Sequence, residues 1–321
     1  MSRSIRPMLT SFNGHSWTTP RELPFTIYPK EFGLTTFTDR NGHEVLFCTY
    51  IDPQTMQFSW ASSDNGTQWH VGGTDPSLKA EGVVSARYTG NQLVSVCRSE
   101  PQTVDKLRWT KSTDGNHWTT PEPLGPDAGI SLTEYGGHLV LSLRNNFGQT
   151  HHHRVYDGIE WSAPGTTIPS LPAVGVSIPG LIGFGSLLYC VIVNEKADGI
   201  SYWTFDGEGW SGRQEALTSQ WRVRSAPRLG VYHDHLVCTF NTRNTSRDGN
   251  HCLSWTQYDS GTKTWSPVQQ GSRDFDGLGA AQLTYWHTRL YAFLTPLDLG
   301  KGSESPAGET VPGVVPQPPA S

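Results

Sequence analysis

Charge is scarce in this chain. Only 17% of its 321 residues are Asp, Glu, Lys or Arg, the net charge is −5, and no run of Lys or Arg occurs. Phosphate recognition needs clustered cations, so nucleic acid is not an expected partner. No apolar stretch approaches the roughly 18 residues of a spanning helix, so no membrane is expected either. The N-terminal stretch Met1 to Met8 has no apolar core of signal-peptide length, which points to a cytoplasmic location. Cysteine is also sparse, five in all and an odd number. Cys48, Cys97, Cys190 and Cys238 sit among Val, Leu and Phe, where a thiol packs as a small apolar group in a reducing compartment. No pair has metal-ligand spacing, and the consecutive His151-His152-His153 would point to alternating faces of a strand. Neither a metal nor another cofactor is expected.

What the chain does have is glycine and tryptophan, 34 and 12 residues. Six times a tight turn runs into a tryptophan, at Trp17, Trp69, Trp118, Trp161, Trp210 and Trp265. Four of these read Asp/Asn-Gly-x-x-Trp, beginning at Asn13, Asp114, Asp157 and Asp206; those beginning at Asp64 and Asp259 are longer. The intervals are 52, 49, 43, 49 and 55 residues. Strand-like repeats of that length are the signature of propeller blades. Between the tryptophans lie apolar hairpins, Leu34 to Tyr50, Val83 to Arg98, Ile130 to Arg144, Val176 to Val193, Ala226 to Asn241 and Ala280 to Thr295. Glycines precede five of them, at Gly33, Gly82, Gly129, Gly175 and Gly279, as crowding around an axis demands.

The first tryptophan unit has no hairpin before it and the last hairpin has no tryptophan unit after it. The expected fold is therefore all-β: a six-bladed β-propeller of four-stranded blades, with the N-terminal strands closing the last blade. Residues 1–298 form one domain in this reading. Residues 299–321, rich in Pro, Gly and Ser, read as a disordered tail.

Ser62-Ser63-Asp64-Asn65-Gly66-Thr67-Gln68-Trp69 resembles the Asp-box of sialidase-like propellers, a turn-ordering device on the outer hairpin. That resemblance implies a fold, not a chemistry. The sialidase Arg-Ile-Pro signature is missing, since Ser4-Ile5-Arg6-Pro7 has another order. The blade count is also similar to that of fungal fucose-binding lectins, which repeat an Arg, a Glu and an aromatic in every blade. Here the ends of the second strands read Tyr50, Arg98, Arg144, Val193, Asn241 and Thr295, with no such repeat.

Varied residues at a rim suit one asymmetric pocket. The expected catalytic donors are Arg98, Arg144, Arg224 and Arg243, with His153 as a proton donor near neutral pH. Tyr50, Trp221, Arg222, Asn241 and Asp274 are the expected substrate-binding set. Arginine and tryptophan together suit an oxygen-rich, partly planar ligand. On fold and context the chain resembles fungal propeller proteins that catalyse hetero-Diels–Alder reactions. That likeness implies a cofactor-free enzyme acting on an oxygenated aromatic or terpenoid molecule, and this reading comes first. A fucose-type, carbohydrate-binding lectin is the alternative. A glycoside hydrolase comes last, because it needs two placed carboxylates.

Overall fold

The computed structural model describes residues 4–29, 32–88, 91–99, 107–125, 128–144, 151–163, 165, 179–194, 196–217, 221–223, 225–243 and 251–296. They build six antiparallel blades around an axis. Blade 1 contains Gly33–Thr38, Glu44–Ile51, Gln57–Ser63 and His70–Lys79. Blade 2 contains Gly82–Tyr88, Gln92–Arg98, Leu107–Ser112 and Glu122–Gly125. Blade 3 has three described strands, Ala128–Tyr135, His138–Arg144 and His151–Tyr156. Blade 4 contains Gly180–Phe184, Leu187–Val193, Ile200–Phe205 and Gln214–Leu217. In blade 5, Arg228–Tyr232, His235–Arg243 and His251–Asp259 are followed by Thr264–Trp265 and Gln269–Gln270, both paired with the third strand. Blade 6 takes its inner hairpin, Leu278–Trp286 and Arg289–Pro296, from the end of the chain and its outer strands, Met8–Phe12 and Arg21–Glu22, from the beginning. The closing register runs from Met8↔Leu294 to Phe12↔Leu290. Ring closure thus occurs as the unmatched sequence halves require.

The six outer turns share one mechanism. A side-chain oxygen accepts two backbone N–H groups, two and three residues ahead, which fixes the turn without a partner strand. Asn13, Asp114, Asp157, Asp206 and Asp259 all do this through Oδ1, at 2.7–3.0 Å. In blade 1 the capping oxygen belongs to Asn65, not to Asp64 as the Asp-box alignment has it. The reason is register: Ser63 Oγ accepts the Gly66 N–H at 2.9 Å just as Ser112 Oγ accepts that of Gly115, so Asn65 is the counterpart of Asp114. Asp64 points to solvent. In five blades a hydroxyl follows the tryptophan and accepts a third-strand N–H: Ser11 to Thr18, Lys111 to Thr119, Val155 to Ser162, Thr204 to Ser211 and Gln257 to Ser266.

These carboxylates make stability acid-sensitive. The N–H groups of Glu160 and then Ile159 hold Asp157 below its ordinary value, Gly209 and Glu208 do so for Asp206, and Thr262 and Gly261 for Asp259. At Asp114 burial pushes the other way, but hydrogen bonds from His117, Asn116 and Arg40 win and lower it. A carboxyl depressed in the folded state stabilises fully above its unfolded value near ~4, and that contribution is lost as pH falls through the lower folded value. Asn13 and Asn65 do the same work without titrating. Replacing Asp157, Asp206 and Asp259 together by Asn should leave the Tm at neutral pH nearly unchanged and flatten its fall in acid. Thermal melts at neutral pH and near the carboxylate range check this; an undiminished acid loss would refute it.

The tryptophans wedge between blades. Trp118 of blade 2 reaches back to Phe58 and Trp60 of blade 1, at centroid distances of 4.8 and 5.9 Å. Trp161 meets Trp109 at 6.3 Å, and Trp17 meets Trp255 at 6.3 Å. The five cysteines are all free and buried, and burial pushes the thiols of Cys48, Cys97, Cys190 and Cys238 up. In blade 4 the glycine at the crowded start of the inner strand is Gly180, where a Cβ would lie 2.7 Å from Pro227 O. Gly175 lies outside the described residues, as do the expected tail at 299–321 and Arg224.

Candidate binding site on the propeller axis

Inner strands surround the axis because each is the first and shortest-radius strand of its sheet. Described residues of five of them line a cavity of about 600 Å³. It is walled by residues 34–36 of blade 1, 131–136 of blade 3, 180–183 and Gly185 of blade 4, 228–231 of blade 5 and 282–285 of blade 6. It follows the strands from Gly180 and Arg228 at their start to the turn glycines Gly136 and Gly185 at the far end. The polar groups that line it are mostly uncharged: Thr36, Ser131, Thr133, Gln282 and Thr284. Among the described lining residues, Glu134 is the one carboxylate and Arg228 the one cation. Tyr135 and Tyr285 add aromatic surface. Tyr135 is fixed by its hydroxyl, which donates to Ser186 O at 3.0 Å, and burial followed by the nearby Asp206 pushes that phenol up. The strand packing is tight behind this wall: a Cβ on Gly183 would lie 2.4 Å from Glu134 O.

This lining is a set of donors and acceptors on a rigid frame. Hydroxyl and amide groups can each give and take a hydrogen bond, so they match a ligand that itself carries many hydroxyls. The volume is that of an ordinary small-molecule site. Among the described residues no three His, Cys, Asp or Glu side chains converge as metal ligands.

Among the expected residues whose side chains are described, Arg98, His153, Tyr50, Trp221, Arg222, Asn241 and Asp274, none lines this cavity. Arg98, Arg144 and Arg243 end the second strands of blades 2, 3 and 5. Arg98 is half-buried and its carbonyl accepts the Glu81 N–H at 2.8 Å. The side chains of Arg144 and Arg243 lie outside the described set. Tyr50 is buried, its ring stacked on Phe25 at 5.0 Å, and burial raises its hydroxyl pKa. Asn241 is wholly buried; its side-chain amide donates to Leu278 O and its N–H to Ser225 Oγ at 3.0 Å. Trp221 is half-buried, with its N–H on Asp198 O at 3.3 Å, and Arg222 is exposed. Asp274 is exposed in the 3-10 turn Arg273–Phe275, where it accepts from Ser272 Oγ at 3.2 Å. His153, expected at a rim, is buried between blades 3 and 4, with its ring 5.6 Å from Phe205 and 6.2 Å from Trp210.

The residues that do line the cavity are hard to single out in the sequence because they belong to strands with an evident structural task. One signal could have found them. Thr36, Ser131, Thr133, Gln282 and Thr284 interrupt otherwise apolar inner strands with uncharged polar groups, and buried polar groups need partners.

No family model matches this chain, and no curated protein does. Solved structures do. A triple arginine-to-alanine variant of AofleA from Arthrobotrys oligospora superposes over 84% of this chain and 88% of its own, with a TM-score of 0.58 and 11% identity. SapL1 lectin in complex with alpha methyl fucoside covers 84% of this chain and 97% of its own, with a TM-score of 0.53 and 14% identity. An exo-beta-1,3-galactanase from Phanerochaete chrysosporium, with beta-1,3-galactotriose, covers 85% and 67%, with a TM-score of 0.54 and 11% identity. At such identities the likeness identifies this chain by its fold alone, as a six-bladed β-propeller.

Proposed function

We propose that this protein binds a carbohydrate, one molecule per chain, in the axial cavity, and does so without cleaving it. The observation that carries the reading is the hydroxyl- and amide-rich wall of that cavity. A pyranose offers a hydroxyl on nearly every ring carbon, and Ser131, Thr133, Thr36, Gln282 and Thr284 can pair with several of them while Tyr135 or Tyr285 covers an apolar ring face.

The reading as a hetero-Diels–Alder enzyme needs aromatic walls and cationic donors around a developing oxyanion. Of the arginines expected in that role, Arg98 has a described side chain and lies outside the lining, and the wall suits a hydrated, polyhydroxylated ligand better than a terpenoid. Glycoside hydrolysis needs a pair of carboxylates about 5–10 Å apart; Glu134 stands as the single one among the described lining residues. Propellers of this fold occur with alpha methyl fucoside and with beta-1,3-galactotriose, which makes fucosides and galactosides the first ligands to try. A glycan microarray with the labelled protein tests the proposal. Binding to a defined set of glycans, competed by the free sugar, is expected; an empty array together with turnover of an aromatic or terpenoid precursor would return the enzyme reading to first place.

A further inference from the structure

The blades are not packed alike, and the difference opens a second site. At three junctions the glycine of the outer turn closes against an aromatic of the preceding blade. A Cβ on Gly115 would lie 3.0 Å from Phe47, one on Gly14 would lie 3.0 Å from Tyr232, and one on Gly66 would lie 3.4 Å from Tyr291. At the junction of blades 3 and 4 the same turn stands back: a Cβ on Gly207 would be 4.0 Å from Tyr135 Oη. At the junction of blades 4 and 5 the turn is longer and carries Ser260 where the others carry that glycine.

The third strands differ in step. Two residues before the N–H that bonds the post-tryptophan hydroxyl stand Trp109 in blade 2 and Trp255 in blade 5, with Trp60 as their counterpart in blade 1. In blades 3 and 4 that position holds His153 and Tyr202. Clefts of about 330 and 410 Å³ open at these two junctions, and equivalent strand positions line both.

The larger cleft has aromatic walls on both sides. Tyr189 and Tyr202 of blade 4 lie nearly parallel, 6.4 Å apart and 17° between planes, and Tyr258 of blade 5 faces Tyr189 at 5.7 Å. Its lining includes one cation and, among the described residues, no carboxylate. Tyr202 donates to Gln214 Oε1 at 2.7 Å, which leaves the amide nitrogen of this lining side chain as its donor, and Lys263 adds an ammonium. We infer that the cleft between blades 4 and 5 is a binding site for a small planar aromatic carboxylate. Its ring takes the wedge that an indole side chain helps fill in blades 1, 2 and 5, and its carboxylate meets Lys263 and Gln214. This site shares only the turn residue Gly185 with the described lining of the axial cavity and takes a different class of ligand.

Indole-3-acetate, with neutral indole as its control, is the probe, titrated into the whole protein by calorimetry. Binding of the acid is expected, with indole at least tenfold weaker. Lys263→Met should weaken the acid about tenfold and leave indole unchanged. Tyr202→Trp rebuilds the closed wedge and should abolish binding of both; Thr204→Leu, which narrows the same wall, should weaken both and serves if the tryptophan variant does not fold. Gln282→Leu, in the axial cavity, should leave the titration as it is. No heat of binding at millimolar probe, binding that survives both cleft variants, or binding lost in Gln282→Leu would overturn the assignment. Because that last variant affects only the axial cavity, failure of this site and failure of the carbohydrate reading remain distinguishable.

Discussion

Phe12→Ala should lower the stability of the protein by about 3–5 kcal/mol, with a fall in Tm on the order of 10 °C. Phe12 is fully buried and ends the strand that closes the ring. Its ring lies 4.9 Å from Trp17, 5.5 Å from Tyr232 and 6.1 Å from Trp255, so it joins blade 6 to blade 5. Truncation removes the burial of a large aromatic and leaves a cavity that strands on both sides cannot collapse to fill. Deleting residues 1–12 should do more. Blade 6 would keep only its inner hairpin, and Arg289–Pro296 would become an open edge of the kind that recruits other chains. The expected result is insoluble protein. Ile159→Ala is the control, since Ile159 is 78% exposed on an outer turn and its loss should cost less than about 0.5 kcal/mol. A soluble, cooperatively melting deletion variant would mean that the ring does not depend on its closing strand.

Gln282→Leu should weaken carbohydrate binding about tenfold or more with little change in Tm. Gln282 lines the axial cavity and is half-buried, so leucine fills similar space while removing both a donor and an acceptor. A ligand hydroxyl left unpaired in a confined site costs about 1–3 kcal/mol, and ~1.4 kcal/mol is tenfold in Kd. Thr284→Val, on the same strand and nearly isosteric, should act in the same direction with a smaller effect, because one hydroxyl is lost instead of an amide. The two variants together should be measured against Arg98→Ala, which sits outside the cavity lining and should leave the affinity unchanged. Equal losses in all three would point to an indirect effect on folding.

The ring was legible in the sequence because local chemistry writes it directly. A turn whose side-chain oxygen holds two N–H groups needs Asp or Asn beside a residue that tolerates positive φ. Gly115 at +74° and Gly207 at +103° meet that need with the same spacing to tryptophan each time. The unmatched ends at Trp17 and at the last hairpin foretold Met8–Phe12 beside Arg289–Pro296. The position of the turn-capping residue was less legible. Asp64 and Asn65 are both able to cap, and only the register of Ser63 with Gly66 decides between them. The lining of the axial cavity was not legible for a different reason. Arginines at strand ends attract attention because charge is rare here, whereas Thr36 or Ser131 looks like any strand residue. Whether such a hydroxyl meets a cavity or a neighbouring blade depends on how six sheets pack, and that is long-range information. Asn241 shows the converse: an amide at a strand end, suited on paper to a ligand, is wholly buried and donates to the Leu278 carbonyl. His153 looked like a rim proton donor and instead occupies a position that Trp109 and Trp255 fill elsewhere.

The central claim is that a single sugar occupies the axis, and calorimetric stoichiometry tests it most directly. Titration of the intact protein with the best glycan from an array should give one site per chain, weakened by Gln282→Leu. Several equivalent sugar sites per chain, with affinities indifferent to that substitution, would contradict the account and place glycan recognition between the blades instead.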